Sequence, residues 1–505
     1  MSLRPFPTLS NTSKGTRVST APFDLHRPVA HLRPPRNWIN DPNGLVHHDG
    51  HYHVCYQYNP YGTDHANMHW GHFRSADLLS WEPLPLALTP APGGVDADGC
   101  FSGNAVSDGD RLVAFYSAHR QERPQHQLIT TATSRDGGLT FHPRGDLLIP
   151  EPPDGTTMYR DPYVWQDGNS WRMLVGAALA DGRAAALLYD SPDLQTWTYR
   201  GPFCAGAPEP VGDTGLLTGE GWECPQYLPA ADGRGALILS AWYERDGPHG
   251  VLALVGEDRG GVFEAGPPQL LDYGPDFYAP ALLRAPGGRW LLWGWSWEAR
   301  NKDWSGAEGW AGTLTLPREI ELADDGRTYQ RPAAELLALR GEHTVHAAGL
   351  TADSACVDLG EVSRSFDLTA HLEASGKSGL RLVTAPDNAE YLNILLDADA
   401  GQLVVNRDHA SLDPRAHGGT YTMPCPTGQP VDLRIVVDHS IAEIFLSTGQ
   451  ALTMRFYPVG EGPWHLQAHT EPGAQLNYTI DAWQLLPLEI KESSTDTPTE
   501  KGHAA

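Results

Sequence analysis

DGHYHVCYQ at residues 49–57 sets the pattern of this chain, because a tight-turn dipeptide is followed at once by a strand-like run of apolar and aromatic residues. The combination returns as DGDRLVAFY at 108–116, DGNSWRMLV at 167–175, DGRGALILS at 232–240 and GGRWLLW at 287–293. Asp-Gly and Gly-Gly are typical of hairpin turns, since glycine tolerates the positive φ that a tight turn requires. The turns lie 59, 59, 65 and 55 residues apart, so the sequence indicates five similar units.

Each unit is long enough for about four short strands. A second element recurs in phase with the turns, as DLLSW at 77–81, DGGLTF at 136–141 and DLQTW at 193–197. Repeats of this length, built from short antiparallel strands, are typical of propeller blades. The sequence therefore predicts an all-β fold that begins with a five-bladed β-propeller.

A cluster of polar residues precedes each turn at a similar distance. The clusters are NDPNGL at 40–45, FSGNAV at 101–106, RDPYVW at 160–165, ECPQYL at 223–228 and FYAP at 277–280. Because the first strand of a blade usually lines the central channel, we expect Asp41, Asp161 and Glu223 to converge at one mouth of that channel. Asp41 or Asp161 alone would more often be a structural turn residue than a catalyst, and Glu223 alone is equally well explained as a hydrogen-bonded structural carboxylate. Turn chemistry does not explain why all three fall at the same phase in different blades.

Eight ordered motifs resemble those of glycoside hydrolase family 32, which holds invertases, inulinases, levanases and fructosyl-transferring enzymes. They are NWINDPNG at 37–44, QYNP at 57–60, MHWGH at 68–72, FSG at 101–103, RDP at 160–162, ECP at 223–225, DYGPDFY at 272–278 and WAGTLTLPR at 310–318. The resemblance covers residues 28 to 485 and implies a five-bladed propeller followed by a C-terminal β-sandwich. One departure is Asn104, which stands where serine is common in the family.

The resemblance implies a retaining β-fructofuranosidase that hydrolyses terminal β-D-fructosyl bonds of sucrose and short fructans. A fructosyl bond breaks through an oxocarbenium-like transition state, which needs one carboxylate to attack and one carboxylic acid to protonate the leaving oxygen. By resemblance Asp41 is the nucleophile and Glu223 the acid/base, while Asp161 stabilises the transition state. The expected substrate-binding residues are Asn40, Gln57, Trp70, Phe101, Ser102, Arg160 and Tyr278.

Three alternatives stay open from the sequence. An exo-inulinase or levanase would act on polymeric fructan, and a fructosyltransferase would pass the fructosyl group to a sugar hydroxyl instead of water. From a different class, a non-catalytic carbohydrate-binding propeller would be expected to have lost one of the three acids, whereas this chain retains all three.

The composition fits a soluble enzyme with a small neutral carbohydrate substrate. The chain has 505 residues and a net charge of −26, which argues against nucleic acid or an anionic membrane as a partner. Its 22 histidines lack compact ligand spacing with Cys or acidic partners, so we expect no metal and no cofactor. The six cysteines show no close pairing and are predicted to be reduced thiols. Without an apolar signal core, the N-terminus predicts a cytoplasmic protein. The oligomeric state stays open.

These patterns divide the chain into five predicted segments. They are a polar N-terminal extension at 1–27, the propeller at 28–330, a linker helix at 331–344, a β-sandwich at 345–487 and a disordered tail at 488–505. Strand patterning of the kind found in sandwiches begins near residue 345. A sandwich of this kind either binds polymer or acts as a structural buttress, and the fold alone favours the buttress.

Overall fold

The structure is a computed structural model that describes residues 24–491, apart from positions 231, 246 and 461. Nearly all of the regular structure in these residues is β, and the predicted propeller followed by a sandwich is confirmed. In the described part of the chain, every helix is too short or too polar to cross a bilayer.

The first four blades are antiparallel sheets in which strands consecutive in the chain are neighbours. The first blade contains β1 (Asn37–His48), β2 (His51–Asn59), β3 (His69–Ser75) and β4 (Ser80–Leu88). The second contains β5 (Gly99–Asp108), β6 (Arg111–His119), β7 (Leu128–Ser134) and β8 (His142–Pro143). The third contains β9 (Thr156–Asp167), β10 (Ser170–Leu179), β11 (Ala184–Ser191) and β12 (Thr198–Gly206). The fourth contains β13 (Gly221–Pro229), β14 (Arg234–Tyr243), β15 (Gly247–Asp258) and β16 (Phe263–Leu270).

The fifth blade is less regular and closes the ring. Its strands are β17 (Tyr278–Arg284), β18 (Trp290–Ser296), β19 (Trp310–Ala311), β20 (Thr313–Leu314), β21 (Arg318–Leu322) and β22 (Thr328–Pro332). A 3-10 helix at Pro286–Gly288 and the helix α1 (Lys302–Glu308) lie between them. β19 leaves its own blade and pairs in parallel with β1, so the last blade is fastened to the first.

The predicted turns connect the first and second strands of every blade. Their glycines all have positive φ, from 59° at Gly168 to 89° at Gly233. The first strands β1, β5, β9, β13 and β17 pack against one another around the ring. The phase of the turn repeat therefore predicted correctly which strand of each blade is innermost.

The predicted linker helix is shorter than expected. Residues Ala334–Leu339 form a 3-10 helix, and strand β23 begins at Arg340. Leu336 and Leu339 are buried in the same cluster as Trp81 and Trp293 of the propeller. Because β23 pairs with the last sandwich strand from its first residue onward, the sheet ladder displaces helix at 340–344.

The second domain is a sandwich of two six-stranded antiparallel sheets. Its remaining strands are β24 (Cys356–Val362), β25 (Ser365–Ser375), β26 (Lys377–Val383), β27 (Tyr391–Asp397), β28 (Gln402–Asn406), β29 (Thr420–Pro424), β30 (Val431–Asp438), β31 (Ile441–Leu446), β32 (Ala451–Arg455), β33 (Trp464–Thr470) and β34 (Gln475–Leu485), with a 3-10 helix at Pro386–Asn388. One sheet has the order β23-β34-β25-β30-β31-β32 and the other β24-β33-β26-β27-β28-β29. Buried leucines such as Leu368 and Leu382 fill the space between them.

Both ends of the described chain are ordered. Glu489 and Ile490 form a short strand, β35, that pairs in parallel with β4, so the predicted disorder of 488–505 is wrong for residues 488–491. Main-chain hydrogen bonds from Leu488, Glu489 and Lys491 explain that order. The rest of that tail, 492–505, lies outside the described residues, as do residues 1–23 of the predicted extension. His26, inside the extension, is buried and lies 3.0 Å from the carbonyl oxygen of Pro458.

The contact between propeller and sandwich is rich in buried charge. We call the side chains His31, Asp272, Asp276, Glu298, Arg318, Arg407, Asp438, Glu443 and Arg455 the seam cluster. Arg318 donates to Asp272 at 2.8 Å and to Glu443 at 2.6 Å, and His31 lies 2.8 Å from Asp438. A Cβ at Gly274 would come within 1.8 Å of the Thr453 carbonyl oxygen, so only glycine lets the two backbones approach this closely.

Candidate active site

All five inner strands carry a β-bulge at the same level. Two residues lie opposite one in each case: 40–41 opposite Gln57, 101–102 opposite Ser117, 161–162 opposite Val175, 224–225 opposite Leu239 and 279–280 opposite Gly294. A bulge re-aims side chains and locally interrupts the ladder. Asp161 at φ 64°, Cys224 at 47° and Ala279 at 46° adopt the left-handed region within these bulges. Arg160 and Asp161, which would face opposite sides of a regular strand, are thereby both turned toward the centre of the ring.

Asp41 lies in a network of polar side chains from β1, β2 and β5. Ser102 Oγ donates a hydrogen bond to Asp41 Oδ2, and Asn40 Nδ2 donates to Asp41 Oδ1 at 3.1 Å. Gln57 completes the network by accepting from Asn40 at 2.9 Å and donating to Ser102. Burial raises the pKa of Asp41 to about 6, while the Ser102 hydrogen bond opposes this rise and the charge of Glu223 adds to it. The network therefore favours an ionised, oriented carboxylate near neutral pH.

Asp161 is joined to Asp41 through Cys224. Asp161 Oδ2 accepts from the backbone N–H of Cys224 at 3.1 Å, and its own N–H donates to Ser117 Oγ at 2.8 Å. Cys224 Sγ lies 3.6 Å from Asp161 Oδ2 and 3.8 Å from Asp41 Oδ2. Burial and then the charges of Asp161 and Asp41 raise the pKa of the Cys224 thiol, so it stays protonated and donates. Burial and the charge of Glu223 likewise raise the pKa of Asp161, against the opposing charge of Arg160.

Glu223 accepts a hydrogen bond at each carboxyl oxygen. Tyr278 donates its hydroxyl to Oε2 at 2.8 Å, and Arg160 Nη1 donates to Oε1 at 3.2 Å. Burial raises the pKa of Tyr278 and keeps its hydroxyl a donor. Arg160 also donates to Gln125 and lies 5.5 Å from the centre of the Trp242 ring. Glu223 and Arg160 are therefore held together at one side of the ring.

An aromatic wall flanks these polar groups. The half-buried ring of Phe101 stacks on His119 with centroids 4.3 Å apart. Trp70 donates Nε1–H to the Phe101 carbonyl at 3.1 Å, and Trp70 is only 1% exposed. The sequence predicts Trp70 in the pocket wall, but its side chain is almost completely buried and packs on Gly44, where a Cβ would lie 2.9 Å from the indole ring. Trp70 therefore supports the wall.

The structure brings the predicted residues together. We call them the mouth cluster: Asn40, Asp41, Gln57, Ser102, Arg160, Asp161, Glu223 and Tyr278, with Phe101 and Trp70 beside them. Asn104 lies apart, since its amide exchanges hydrogen bonds of 2.8 and 2.9 Å with Val164 and so joins β5 to β9. Cys224, Gln125 and Trp242 were not predicted. Cys224 stands inside the ECP motif, whereas no sequence pattern marked Gln125 or Trp242.

The arrangement combines three carboxylates with a single guanidinium. Asp41 and Glu223 come from different blades and have different partners. Asp41 is held by neutral hydrogen-bond donors, whereas Glu223 is held by a tyrosine and an arginine. Such a division suits a reaction that needs both an attacking carboxylate and a proton donor. The polar groups of the mouth cluster are carboxylates, amides, hydroxyls and one guanidinium, with aromatic side chains beside them, a combination that suits a sugar ring.

Family models match both halves of the chain. Residues 31–332 match the "Glycosyl hydrolases family 32 N-terminal domain" and residues 335–484 match "Glycosyl hydrolases family 32 C terminal". A raffinose invertase of Escherichia coli is 33% identical over 462 residues, which cover 85% of this chain and 89% of that protein. A sucrose-6-phosphate hydrolase of Escherichia coli is 32% identical over 478 residues, which cover 91% of this chain and 94% of that protein.

Solved structures have the same fold. A fructan 1-exohydrolase of Cichorium intybus, solved in complex with 1-kestose, superposes with a TM-score of 0.81 at 23% identity, covering 92% of this chain and 98% of that one. A β-fructofuranosidase of Bombyx mori, of which a mutant was solved with sucrose, superposes with a TM-score of 0.76 at 26% identity, covering 93% and 95%.

Proposed function

The chain belongs to family 32 of the glycosyl hydrolases and is a glycoside hydrolase of the β-fructofuranosidase type; from this premise we propose that it is a retaining enzyme that acts on sucrose and short fructans. The observation that supports this most directly is the position of Cys224. Its thiol, on the fourth blade, lies within 4 Å of both Asp41 and Asp161, at 3.8 and 3.6 Å, so the carboxylates of the first and third blades meet next to the residue that follows Glu223.

In the first step, Asp41 attacks the anomeric carbon of the fructosyl unit while Glu223 gives its proton to the leaving oxygen. The glycosidic C–O bond breaks, an ester forms between Asp41 and the fructosyl group, and the leaving sugar departs with the proton. In the second step, Glu223 takes a proton from water, whose oxygen attacks the same carbon and releases Asp41. Ser102 and Asn40 orient the nucleophile, since they donate to its two oxygens.

Asp161 and Arg160 are assigned to the fructose hydroxyls and the developing positive charge. The backbone N–H of Cys224 donates to the Asp161 carboxylate, and the Asp161 N–H donates to the Ser117 hydroxyl. Asp161 is therefore positioned without help from the substrate. An interaction made mainly in the transition state raises kcat more than it lowers KM. Asp161→Asn is therefore expected to lower kcat far more than it raises KM. A near-normal kcat with a much higher KM would instead make Asp161 a ground-state binding residue.

Trapping of the intermediate tests the division of roles. Glu223→Gln is given a β-fructoside with a leaving group that needs no protonation, such as a nitrophenyl fructoside. We expect the intact protein to gain the mass of one fructosyl unit, and proteolysis to place it on the peptide that contains Asp41. Asp41→Asn, treated identically, is the matched control and should gain nothing. A fructosyl group on any other residue, or none under conditions where the fructoside is cleaved, would refute the assignment of the nucleophile.

We also propose that the leaving sugar lies next to Arg160, on the side of Gln125 and Trp242, and that it is neutral and not phosphorylated. A cavity of about 320 Å³ beside the Arg160 partners Gln125 and Trp242 is lined by the carboxylates of Glu220 and Glu244. A phosphate dianion would be repelled there, whereas a neutral sugar would not. Separate incubations with sucrose, sucrose 6-phosphate, inulin and levan, followed by product analysis, test this. We expect kcat/KM to be highest on sucrose; preference for the phosphorylated sugar or for polymer would select a different substrate, and fructosylated sugars as main products would indicate a transferase.

A further inference from the structure

Two histidines and an aspartate meet on the outer face of the sandwich, far along the chain from the mouth cluster. His343 Nε2 lies 2.9 Å and His346 Nδ1 lies 2.7 Å from the same atom, Asp481 Oδ1. One nitrogen from each histidine and one carboxylate oxygen all lie within 4.8 Å of one another. The three side chains are 43%, 70% and 26% exposed, so an ion from solvent reaches them without displacing the core.

A bulge in β23 creates this arrangement. Side chains three residues apart in a regular strand face opposite sides of the sheet. The pairing of β23 with β34 shifts between His343 and Val345, so that His343 lies opposite Trp483 and His346 lies opposite Asp481. Residues 481 and 483 share one face of β34 because they are two apart. The shift therefore places both imidazoles on the side of Asp481, which an unbulged strand would not do.

Packing fixes one of the imidazoles in place. The His343 ring stacks on the Trp483 indole, with centroids 4.8 Å apart and an angle of 14° between the planes. Arg340 lies 3.9 Å from the centre of the Trp483 ring and is itself paired with Asp367 at 2.7 Å. A ligand held in this way loses less conformational entropy when a metal binds.

We propose that His343, His346 and Asp481 form a peripheral binding site for a divalent transition metal of the zinc class. Two imidazole nitrogens and a carboxylate oxygen are ligands that Zn²⁺ accepts, and water would complete a tetrahedral shell. The site joins β23, the first strand of the sandwich, to β34, its last long strand. Metal binding would therefore tie the two ends of the sandwich domain together and stabilise its fold by mass action. The proposal is independent of the function assigned to the mouth cluster.

Calorimetric titration of the full, metal-stripped chain with Zn²⁺ tests the site. We expect one equivalent to bind in the micromolar range, and His346→Gln to weaken that binding at least about tenfold because one of three ligands is lost. Asp481→Asn should do the same. The matched control is His371→Gln, because His371 also lies on an exposed face and makes a 2.7 Å contact with a carboxylate, that of Asp432.

A second measurement uses Co²⁺ in place of Zn²⁺. We expect visible d–d absorption of tetrahedral cobalt with the unaltered chain, and its loss in His346→Gln, together with a rise in melting temperature on Zn²⁺ addition that only the unaltered chain and His371→Gln show. Binding that is unchanged in His346→Gln, or weakened equally by His371→Gln, would overturn the proposal, and so would an absence of binding to the unaltered chain. These readouts do not involve hydrolysis, so their failure is distinct from a failure of the proposed activity.

Discussion

The mouth cluster and the seam cluster both enclose carboxylates, yet they treat the charge in opposite ways. At the seam every carboxylate faces a cation. Burial alone would raise the pKa of Glu298, but the charges of Arg455 and Arg300 outweigh it and lower that pKa to about 2. The pKa of Glu443 is likewise lowered, against burial, by Arg318 and His31. Glu298 and Glu443 are therefore ionised at neutral pH.

At the mouth the balance is reversed. Three carboxylates share one guanidinium, that of Arg160, and the pKa values of Asp41 and Asp161 are raised by burial and by the charge of Glu223. A buried acid with a dedicated cation serves the structure, whereas crowded acids that repel one another are held in place at a cost in stability. The comparison predicts that the same chemical change, acid to amide, has separate consequences in the two clusters.

The largest effect is expected for Asp41→Asn. The amide cannot attack the anomeric carbon, so kcat on sucrose should fall on the order of 10⁴-fold or more. The melting temperature should be unchanged or higher, because a buried charge beside Glu223 is removed. Steady-state kinetics and calorimetry on the same sample measure both. A clear drop in melting temperature would show that the mouth acids are structural after all.

For Glu443→Gln we expect the opposite result, a loss of stability without a loss of activity. The change removes one of the two carboxylates that face the buried guanidinium of Arg318, which donates to Glu443 at 2.6 and 2.9 Å and keeps only Asp272 as a charged partner. Breaking a buried ion pair from one side typically costs about 3–5 kcal/mol of unfolding free energy. Denaturant unfolding should show this loss, while kcat/KM on sucrose stays the same at temperatures where the variant is folded.

Asp181→Asn is the control for the seam variant. Asp181 pairs with Arg183 at 2.7 Å, a distance similar to that at the seam, but both side chains are about half exposed. Exposed pairs contribute little to stability. We expect no measurable change in the free energy of unfolding. A loss as large as that of Glu443→Gln would mean that the buried ion pairs of the seam stabilise the fold no more than an exposed pair does.

The pH dependence of activity is the next effect in size. Asp41 must be ionised to attack, and its pKa is raised to about 6. kcat/KM should therefore fall by about tenfold for each pH unit below that point. Ser102→Ala removes a hydrogen bond that stabilises the ionised form, so the fall should begin roughly one pH unit higher. The pH profiles of kcat/KM on sucrose for the unaltered chain and for Ser102→Ala test this. If the acid limb of the profile does not shift, that limb reports the ionisation of a group other than Asp41.

The smallest effect concerns stability against pH. The folded-state pKa of Glu298 is lowered, so the stability it contributes is present above its ordinary value of 4.5 and is lost as pH falls toward 2. The pKa of Asp41 is raised from 3.8 to about 6, so its contribution is present below pH 3.8 and is lost as pH rises through 6. The melting temperature should thus have a maximum at about pH 4, where the rise from Glu298 and the fall from Asp41 balance.

Two variants test separately the acidic and the alkaline side of the maximum in melting temperature. Asp41→Asn should flatten the decline between about pH 4 and 6 by about 1–3 °C, and Glu298→Gln should flatten the acid side. Differential scanning calorimetry across the range measures both slopes. If each variant altered the slope expected for the other, the contrast between the clusters would be wrong.

Much of the fold was predictable because it repeats. Five glycine turns at positive φ mark the blades, and the acids Asp41, Asp161 and Glu223 share a phase with them. The bulges that re-aim these acids are a finding of the structure. In four of the five inner strands a proline lies within the bulge or directly after it, at positions 42, 162, 225 and 280. Proline lacks the N–H that a sheet ladder needs. The recurring proline is therefore a sequence signal that the hydrogen-bond ladder of each inner strand is interrupted at the same level of the propeller.

The seam cluster could not be predicted. Asp272 and Arg318 stand in motifs quoted from the sequence, but the partner Glu443 lies 125 residues beyond Arg318. Nothing local to either residue specifies such a pair, because it depends on how two domains dock. Trp70 shows the same limit at short range, since its burial depends on the close approach of Gly44.

The short strand β35 has a consequence for the order of synthesis. Ser80 and Glu489, which meet where β35 covers β4, are separated by 409 residues. The first blade therefore keeps an open outer edge until residues 489 and 490 have been made. An unpaired edge can recruit strands of neighbouring nascent chains. Pro83 and Pro85 lie in β4 and remove two of its donors, so the blade is protected against foreign strands during the interval in which its own is still missing.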